Sequence, residues 1–540
     1  MKKAVGLSLV LAMILSLAAC TTSPASTTSA PPVSGAPLAP SDSGSPDVPT
    51  ASVAPEPDDG PKYGGKLRWT GPGDTAQAIG LPQYLPPAST TLMPPWAECL
   101  VLEATDGSIH PFLAESWDVR PEELTVSFKL REDVFFTDGS QFNAEVAKWN
   151  IDLMIELKQL NPAIESCDIV NEYEIQVNLN SFTNALLPIF ASHQFCFVSK
   201  KNFDELGLEG AKNNPVGTGP FIVKEIVTGQ KIVWVRNENY WQEGKPYLDE
   251  IEFIQMTDVM TQNAAVMSEN ESDRVDMLQT SIGEQVQLLT QSADVTINKL
   301  PTGVVVLYPS SRDEESPLAK LEVRQAISCA IDREAIYAAR GFGVSEPAKA
   351  YIPPPFIGNM GDQNFFEYNP DRARELLAEA GYPDGFTVTL YVPQSIDSDS
   401  MVAIQSMLAE VGINAEMEFP ETGAATDMRM NGWDGLLAGN FTVLPSISST
   451  FRSVSSVSIM YVSTWRPFDL IDEPYNRARE AVLALQEDFE PLHQVMLDHM
   501  VYIAINNTYN SYIINNRVHD SGWGDWSVGT MFKPWDVWVD

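Results

Sequence analysis

The sequence predicts an α/β protein built from two lobes, in which mixed sheets are flanked by helices. Three observations support this prediction. The first half of the folded body is rich in strand patterns, the second half is rich in amphipathic helices, and the second half also contains a strand–helix–strand unit. A length of 540 residues with 44% hydrophobic residues is sufficient for more than one core.

Strand patterns dominate the first half of the body. In residues 124–130, apolar residues alternate with polar ones, which is typical of a strand with one buried face. Asn143 is a candidate N-cap for a helix that follows this strand. The predicted strands of this half occupy residues 63–69, 124–130, 173–179, 231–235 and 248–255.

Helix signals are stronger in the second half. Ser316 and Pro317 form the N-cap and first-turn pair with which many helices begin, and an apolar stripe of helical spacing follows them. Asn369 and Pro370 begin a second amphipathic helix in the same way. Gly381 is placed to end that second helix.

A strand–helix–strand unit follows these helices. Residues 388–392 predict a strand, residues 401–411 a helix and residues 413–419 a second strand. Such a unit places its two strands parallel, joined by a right-handed crossover. We therefore expect a strand-rich first lobe and an α/β second lobe that begins near residue 301.

The first sixty residues predict export and anchoring. Lys2 and Lys3 precede an apolar run too short to span a bilayer, so residues 1–20 have the pattern of a signal peptide. The run ends in Leu-Ala-Ala-Cys, which resembles a bacterial lipobox with Cys20 as the lipidated residue. Residues 21–60 are rich in Ser, Thr, Pro and Ala and predict a disordered tether. We expect a protein attached by lipid to the outer face of the bacterial membrane or in the periplasm.

The charge and the cysteines exclude some classes of function. A formal net charge of −38 repels phosphate backbones, so the sequence argues against binding of nucleic acid. The chain has five cysteines and no C-x-x-C pair, so zinc-ribbon and thioredoxin-like sites have no support. Cys329 lies in an apolar helical pattern and is interpreted as a core residue. A disulfide among the other internal cysteines stays open, without an assigned pairing.

Catalytic motifs are absent from the sequence. The five histidines form no H-E-x-x-H pair, and neither a nucleophile elbow nor a Walker A loop occurs. Residues 71–76 resemble a dinucleotide-binding glycine pattern, but the proline-rich residues that follow do not predict the required helix. We predict neither a metal site nor a cofactor. A hydrolase that uses two of the many carboxylates stays open as an alternative.

Six segments carry a resemblance to a known family. They lie in family order at residues 111–117 (PFLAESW), 130–140 (LREDVFFTDGS), 215–221 (PVGTGPF), 236–251 (RNENYW with KPYLDEI), 323–333 (VRQAI with AIDR) and 368–381 (YNP with LL and AG). In these segments the chain resembles the family-5 extracellular solute-binding proteins of ABC importers, the oligopeptide, dipeptide and nickel-binding group.

The resemblance implies a two-lobe clamshell like that of periplasmic binding proteins, with a hinge that the chain crosses twice. The implied division is residues 61–300 for the first part of lobe 1, 301–505 for lobe 2 and 506–540 for the return to lobe 1. It also implies a monomer that captures a small ligand, with a peptide favoured, and delivers it to the permease subunits without chemical change. Oligosaccharide or metal-chelate binding and a sensor role stay open as alternatives.

Aromatic and amide side chains are the candidates for ligand contact. Peptide-binding members of the family often have, in the segment after the equivalent of Trp433, an Asp that pairs with the ligand's amino group. In this chain Asp434 follows Trp433 directly and is expected to lie on the strand before the pocket loop, whereas the later positions 439–441 hold no acid. The chain therefore departs from that pattern and would also suit a neutral sugar. Tyr84 and Trp96 follow the first strand, and the remaining candidates, Trp433, Asn440, Phe441 and Trp465, flank the second-lobe loop.

Overall fold

A computed structural model describes residues 60–85, 87–105, 107–157, 163–356, 358–361, 367–444, 450–481, 486–524 and 532–540. Residues 60–540 form one compact unit. The predicted signal peptide, the lipidation site Cys20 and the predicted tether up to residue 59 lie outside the described residues, so all three stay predictions.

The unit contains strands and helices along its whole length. The strands are β1 Lys66–Thr70, β2 Val101–Glu103, β3 Ile109–Pro111, β4 Ala114–Arg120, β5 Thr125–Leu130, β6 Ile164–Asn171, β7 Glu174–Leu179, β8 Phe221–Val227, β9 Lys231–Arg236, β10 Glu250–Ile254, β11 Met277–Thr280, β12 Val295–Pro309, β13 Ser345–Pro347, β14 Phe386–Tyr391, β15 Ile413–Glu418, β16 Leu436–Thr442, β17 Ile503–Asn515, β18 Val518–His519 and β19 Trp538–Val539. The α-helices are α1 Ala144–Glu156, α2 Leu186–Ala191, α3 Lys200–Asn213, α4 Val259–Val266, α5 Gly283–Leu289, α6 Leu321–Ala330, α7 Arg333–Arg340, α8 Pro370–Glu379, α9 Ser398–Glu410, α10 Thr422–Asn431, α11 Phe468–Glu480 and α12 Gln486–Asp498. Short 3-10 helices lie at Pro82–Tyr84, Pro87–Leu92, Pro121–Glu123, His193–Phe195 and Pro317–Ala319.

Within the described residues, eleven strands form one mixed sheet. Its order is β15-β14-β16-β12-β17-β11-β1-β10-β9-β8, with β13 paired to β17. A separate four-stranded antiparallel sheet, β4-β5-β7-β6, lies in the first half and packs on α1 around its own hydrophobic core. The mixed sheets flanked by helices confirm the predicted fold class.

The two long strands β12 and β17 are the connection between the two lobes. The pairing of β11 with β17 ends at Ser511, and the pairing of β16 with β12 ends at Gly303. Between these points β12 pairs with β17, and a shift in register after Pro301 leaves Thr302 outside the ladder. The hydroxyls of Thr302 and Thr508 are 2.9 Å apart at this crossing. The chain therefore crosses a narrow two-stranded hinge twice, once in each direction.

Several local predictions are confirmed by the structure. The Asn143 side chain accepts a hydrogen bond from the N–H of Val146 at the start of α1, and Asn369 caps α8 in the same way. The predicted strand–helix–strand unit is β14, α9 and β15, whose strands pair in parallel. Ser316 differs, because it caps only the 3-10 helix that begins at Pro317, and α6 begins four residues later.

Two buried arginines explain the motif at residues 323–333. Arg324 donates hydrogen bonds to the carbonyl oxygens of residues 318, 319, 499 and 500, at 2.7–3.1 Å. Arg333 donates to the carbonyl oxygen of Ala504 at 2.8 Å and to that of Ser328 at 3.0 Å. Burial lowers the pKa of each guanidinium to about 10, so both stay charged at neutral pH. Through these hydrogen bonds, the two side chains connect α6 and α7 to the start of β17 and to the segment before it.

A buried carboxylate explains two of the motifs in the first half. Glu98 is fully buried, and its two oxygens accept hydrogen bonds from the hydroxyl of Thr218 (2.7 Å), the hydroxyl of Tyr240 (2.6 Å) and the indole N–H of Trp241 (2.9 Å). Burial raises the pKa of Glu98 to about 7, although these three hydrogen bonds act to lower it. The residues of two family motifs therefore converge on one side chain.

The glycines at 217 and 219 allow close contact between two backbone segments. A Cβ atom at Gly217 would lie 2.1 Å from the carbonyl oxygen of Trp96, and one at Gly219 would lie 2.6 Å from the carbonyl carbon of the same residue. No side chain larger than hydrogen fits between segments at this distance.

Among the described helices, none combines the length and the apolar composition that a membrane span requires.

Candidate functional site

The carboxyl ends of strands from both lobes meet at the hinge. β11 approaches the crossing from one side, with its last residue opposite Ser511, and β1 runs parallel to it. β16 approaches from the other side, with Thr442 opposite Gly303, and β14 runs parallel to it. Ligands of open α/β sheets bind beyond the carboxyl ends of such strands. The register of the sheet therefore places a candidate site at the middle of β12 and β17.

A cleft of about 450 Å³ lies at this position. Its walls come from the turn between β11 and α5, from the end of α7, from the start of α9, and from β12, β16 and β17. Hydroxyl and amide groups predominate on the strands, among them Thr302, Asn440, Asn506 and Thr508. A volume of this size accommodates a small ligand, and the polar groups can fix its orientation.

The charged side chains of the cleft form one cluster around Arg340. The guanidinium lies 3.2 Å from Asp397 and 3.3 Å from Asp399, both on the second lobe. It also lies 3.8 Å from Glu284, which belongs to α5 on the first lobe. Glu284, Arg340 and Asp397 line the cleft, and Asp399 lies just outside its described wall. The three carboxylates around one guanidinium give the cluster an excess of two negative charges. Such a wall attracts a cationic group of a ligand.

Asp397 stays ionised because its neighbours stabilise the charge. Burial alone would raise the pKa of this carboxyl, but hydrogen bonds from Ser400 and Arg340 outweigh burial and lower the pKa below its usual value. The same carboxyl accepts from the N–H of Ser400 at 3.2 Å and caps α9. Asp397 therefore holds a negative charge in the cleft over the whole physiological pH range.

A second pocket, of about 380 Å³, adjoins the cleft on the side of the second lobe. The two share Ser395 and Asn440. Arg429 of α10 lines the second pocket, and its Nε atom is buried without a hydrogen-bond partner among the described residues. Its Nη2 donates to the hydroxyl of Thr426 at 3.1 Å. The cleft and the second pocket therefore carry charges of opposite sign on either side of Asn440.

Of the six residues predicted from sequence for ligand contact, Asn440 lines the cleft. It lies on β16, directly opposite Val305 of β12, and its carbonyl oxygen accepts from the hydroxyl of Tyr308 at 3.0 Å. Phe441, the next residue, points to the other face of the same strand and packs in the core of the second lobe near Tyr351 and Tyr502. The alternation of side chains along a strand explains this difference.

The other four predicted residues lie outside the described wall of the cleft. Trp96 packs in a core of the first lobe, and Trp433 packs in the core of the second lobe. Tyr84 is partly exposed, with the ammonium group of Lys212 4.3 Å from its ring centroid. Trp465 is partly exposed and contacts the ring of His499 edge-on at 5.4 Å. A role in ligand contact stays a prediction for all six.

Sequence reasoning missed the charged residues of the site. Glu284 lies four residues beyond the carboxyl end of β11, Asp397 lies six residues beyond that of β14, and Arg340 ends α7. The sequence pattern did predict the strand at 388–392. Because ligands of open α/β sheets bind beyond the carboxyl ends of strands, the acids after this strand could have been selected as candidates.

In the part of the chain that the structure describes, no three His, Cys, Asp or Glu side chains are placed to hold a metal ion.

A two-lobe α/β unit with a polar cleft at its hinge is the architecture of a solute-binding protein. The family model for bacterial extracellular solute-binding proteins, family 5 Middle, matches residues 108–459. The chain belongs to this family.

Individual relatives agree with this assignment. The glutathione-binding protein GsiB of Salmonella typhi is 29% identical over 326 residues, which are 59% of this chain and 62% of that protein. The chain therefore matches about three fifths of the length of this curated relative.

Two solved structures have the same fold. The periplasmic binding protein DppA of Helicobacter pylori in complex with peptide STSA has a TM-score of 0.69 and 20% identity, covering 88% of this chain and 98% of that chain. NikA of Brucella suis in complex with Fe(III)-EDTA has a TM-score of 0.74 and 20% identity, covering 88% of this chain and 100% of that chain. These structural similarities extend the fold comparison beyond residues 108–459, to most of the described unit.

Proposed function

We propose that this protein is the substrate-binding component of an ABC importer, and that it captures a short peptide between its two lobes and leaves it chemically unchanged. The observation that carries the proposal is the bipolar site at the hinge. Acidic residues lie in the cleft, Arg429 lies in the adjoining pocket, and Asn440 lies between them. A zwitterionic ligand fits this arrangement of charge.

The acidic part of the site would receive the amino group of the peptide. Asp397 is ionised, and Glu284 faces it from the other lobe across Arg340. An ammonium group in hydrogen-bond contact with a carboxylate forms a strong, charge-assisted bond. In this proposal, Asp397 and Glu284 take the place of the acid that is missing at positions 439–441.

The basic part of the site would receive the carboxylate. Arg429 can present a planar pair of donors, which matches the two oxygens of a carboxylate. The ring of Tyr308 stacks on that of Tyr461 at 4.0 Å beside it and gives this pocket a flat apolar wall. Such a wall suits an apolar side chain of the ligand.

Closure of the lobes would couple binding to delivery. Glu284 belongs to the first lobe, whereas Arg340 and Asp397 belong to the second, so a ligand that contacts both favours the closed arrangement. The permease subunits of the importer would then recognise the closed form.

We also propose attachment to the membrane through a lipid on Cys20, the division into lobes at residues 301 and 506, and a monomeric state.

The experiment is calorimetric titration of the full-length protein with a panel of di- and tripeptides, each with free termini, with an acetylated N-terminus or with an amidated C-terminus. Loss of one charge-assisted hydrogen bond costs about 1.5–3 kcal/mol, so each blocked terminus should decrease affinity roughly 10–100-fold. Asp397→Asn should decrease affinity for the free peptide by a similar factor and should no longer distinguish free from acetylated N-termini. Its amide oxygen still caps α9, so the change removes charge and preserves the helix.

Asp399→Asn is the matched control. Asp399 contacts the same guanidinium but is largely exposed and lies outside the described wall of the cleft, so this variant should keep the preference for a free N-terminus. If the peptides fail to bind while oligosaccharides or metal chelates raise the melting temperature, the peptide assignment is wrong. Turnover of any ligand would contradict the proposed role in binding.

A further inference from the structure

Cys99 and Cys196 contact each other in the interior of the first lobe. Their Sγ atoms are 2.7 Å apart, although the residues are 97 positions apart in the chain, and both side chains are buried. The N–H of Phe197 donates to the carbonyl oxygen of Glu98 at 2.9 Å, so main-chain contact also holds the two segments side by side. The position of the sulfur atoms is therefore fixed by the backbone on both sides.

The pair lies where two hydrophobic cores adjoin. Both cysteines belong to the core that contains Trp69. Their chain neighbours Leu100 and Phe195 belong to the core between α1 and the four-stranded sheet. A covalent bond at this point would connect the segment after the first 3-10 helices to the segment that leads into α3.

The surroundings argue against a reactive or metal-binding role for these thiols. Burial and contact with Cys99 raise the pKa of Cys196 well above its usual value, so it is not ionised at neutral pH. Nucleophilic and metal-binding cysteines are thiolates, commonly beside a cationic group. Of the cysteines within the described residues, only this pair has its sulfur atoms in contact, whereas Cys167 lies on β6 and Cys329 on α6.

We propose that Cys99 and Cys196 are joined by a disulfide bond in the exported protein. The family to which the chain belongs is extracellular, and disulfides form and persist outside the reducing cytoplasm. In the reaction, the two thiols lose two protons and two electrons as the S–S bond forms. The electron acceptor is another disulfide bond, either in a thiol oxidoreductase or in a small molecule, and it is reduced to two thiols. The exchange occurs during folding, before burial closes access to the sulfur atoms.

The bond can be detected directly in the full-length protein secreted by a bacterium. The protein is unfolded in urea without reductant, treated with N-ethylmaleimide, digested and analysed by mass spectrometry. The peptides of Cys99 and Cys196 should appear as one linked species without the maleimide, and should separate after reduction. Cys167 and Cys329 should carry the maleimide in the same sample. Maleimide on Cys99 and Cys196 in the yield found for Cys167 would overturn the proposal.

Stability provides a second measurement. A bond that closes a loop of this length should raise the midpoint of urea unfolding by roughly 0.5–1 M, and reductant should abolish this gain. Cys99→Ala/Cys196→Ala should have the lower midpoint with or without reductant, and Cys167→Ala/Cys329→Ala should keep the response to reductant. If reductant leaves the urea midpoint of the wild type unchanged, the proposal is contradicted. If the first variant fails to fold, the mass analysis of the wild type decides.

Discussion

The buried carboxylate of Glu98 should make the stability of the protein depend on pH. Its pKa is about 7 in the folded protein and 4.5 in an unperturbed side chain, so the folded state binds the proton more tightly than the unfolded state. The contribution of Glu98 to the free energy of unfolding is therefore greatest below pH 4.5 and falls as the pH rises to 7. A difference of this size corresponds to about 3 kcal/mol.

The substitution Glu98→Gln isolates this effect. Glutamine has the same shape and cannot ionise, and its oxygen can still accept from Thr218 and Trp241. Unfolding by urea at several pH values between 4.5 and 8 should show wild type losing stability relative to the variant as the pH rises. Subtraction of the two curves cancels the contribution of the other acidic groups.

The control is Glu115→Gln. Glu115 is an exposed residue of β4 paired with Lys129, and hydrogen bonding to Lys129 lowers its pKa. It stays ionised between pH 5.5 and 8 in both states, so this variant should follow the pH dependence of the wild type. A constant difference between wild type and Glu98→Gln across the whole range would refute the reasoning. Glu98→Ala tests the hydrogen bonds separately and should cost about 4 kcal/mol, because three buried donors lose their acceptor.

Other substitutions test the backbone and the helix ends by thermal unfolding. Gly219→Ala should destabilise the protein by about 3 kcal/mol or more, because the new Cβ meets the backbone of Trp96. Gly423→Ala in α10 should instead stabilise the protein by about 0.5–1 kcal/mol, because the space around that position is open. Equal effects would contradict this contrast. Asn369→Ala should cost about 1 kcal/mol through loss of the cap of α8, and no change would show that the cap is dispensable. Arg333→Lys should cost about 3 kcal/mol, because an ammonium group cannot reproduce the fork of donors, and a near-neutral result would contradict that account.

Local sequence signals predicted the elements that depend on local physics. The caps at Asn143 and Asn369 and the parallel unit around α9 follow from short stretches of chain, and the structure confirms them. Glu98 was beyond reach of such reasoning. It is one carboxylate among 72, and its partners lie 120 to 143 positions away. Only the folded chain shows that they converge.

The candidate site was predicted less well than the fold, for a related reason. An aromatic residue has the same appearance in sequence whether it lines a cleft or fills a core. Trp96 and Trp433 fill cores, whereas Asn440 lines the cleft because of its register on β16. Arg340 and Asp397 are brought together from segments 57 residues apart. The relation of strand ends to the hinge would have selected Asp397, but the contact with Arg340 depends on tertiary structure.

The two-stranded hinge has a consequence for how this protein can change in evolution or be engineered. The chain enters the second lobe along β12 and leaves it along the adjacent strand β17, with Gly303 directly opposite Thr508. The second lobe is thus an insert whose two ends are neighbours in one ladder. Exchange of the whole second lobe for that of a relative would keep both junctions intact. The ligand preference carried by the second lobe could therefore be transferred as one unit, with the first lobe left in place.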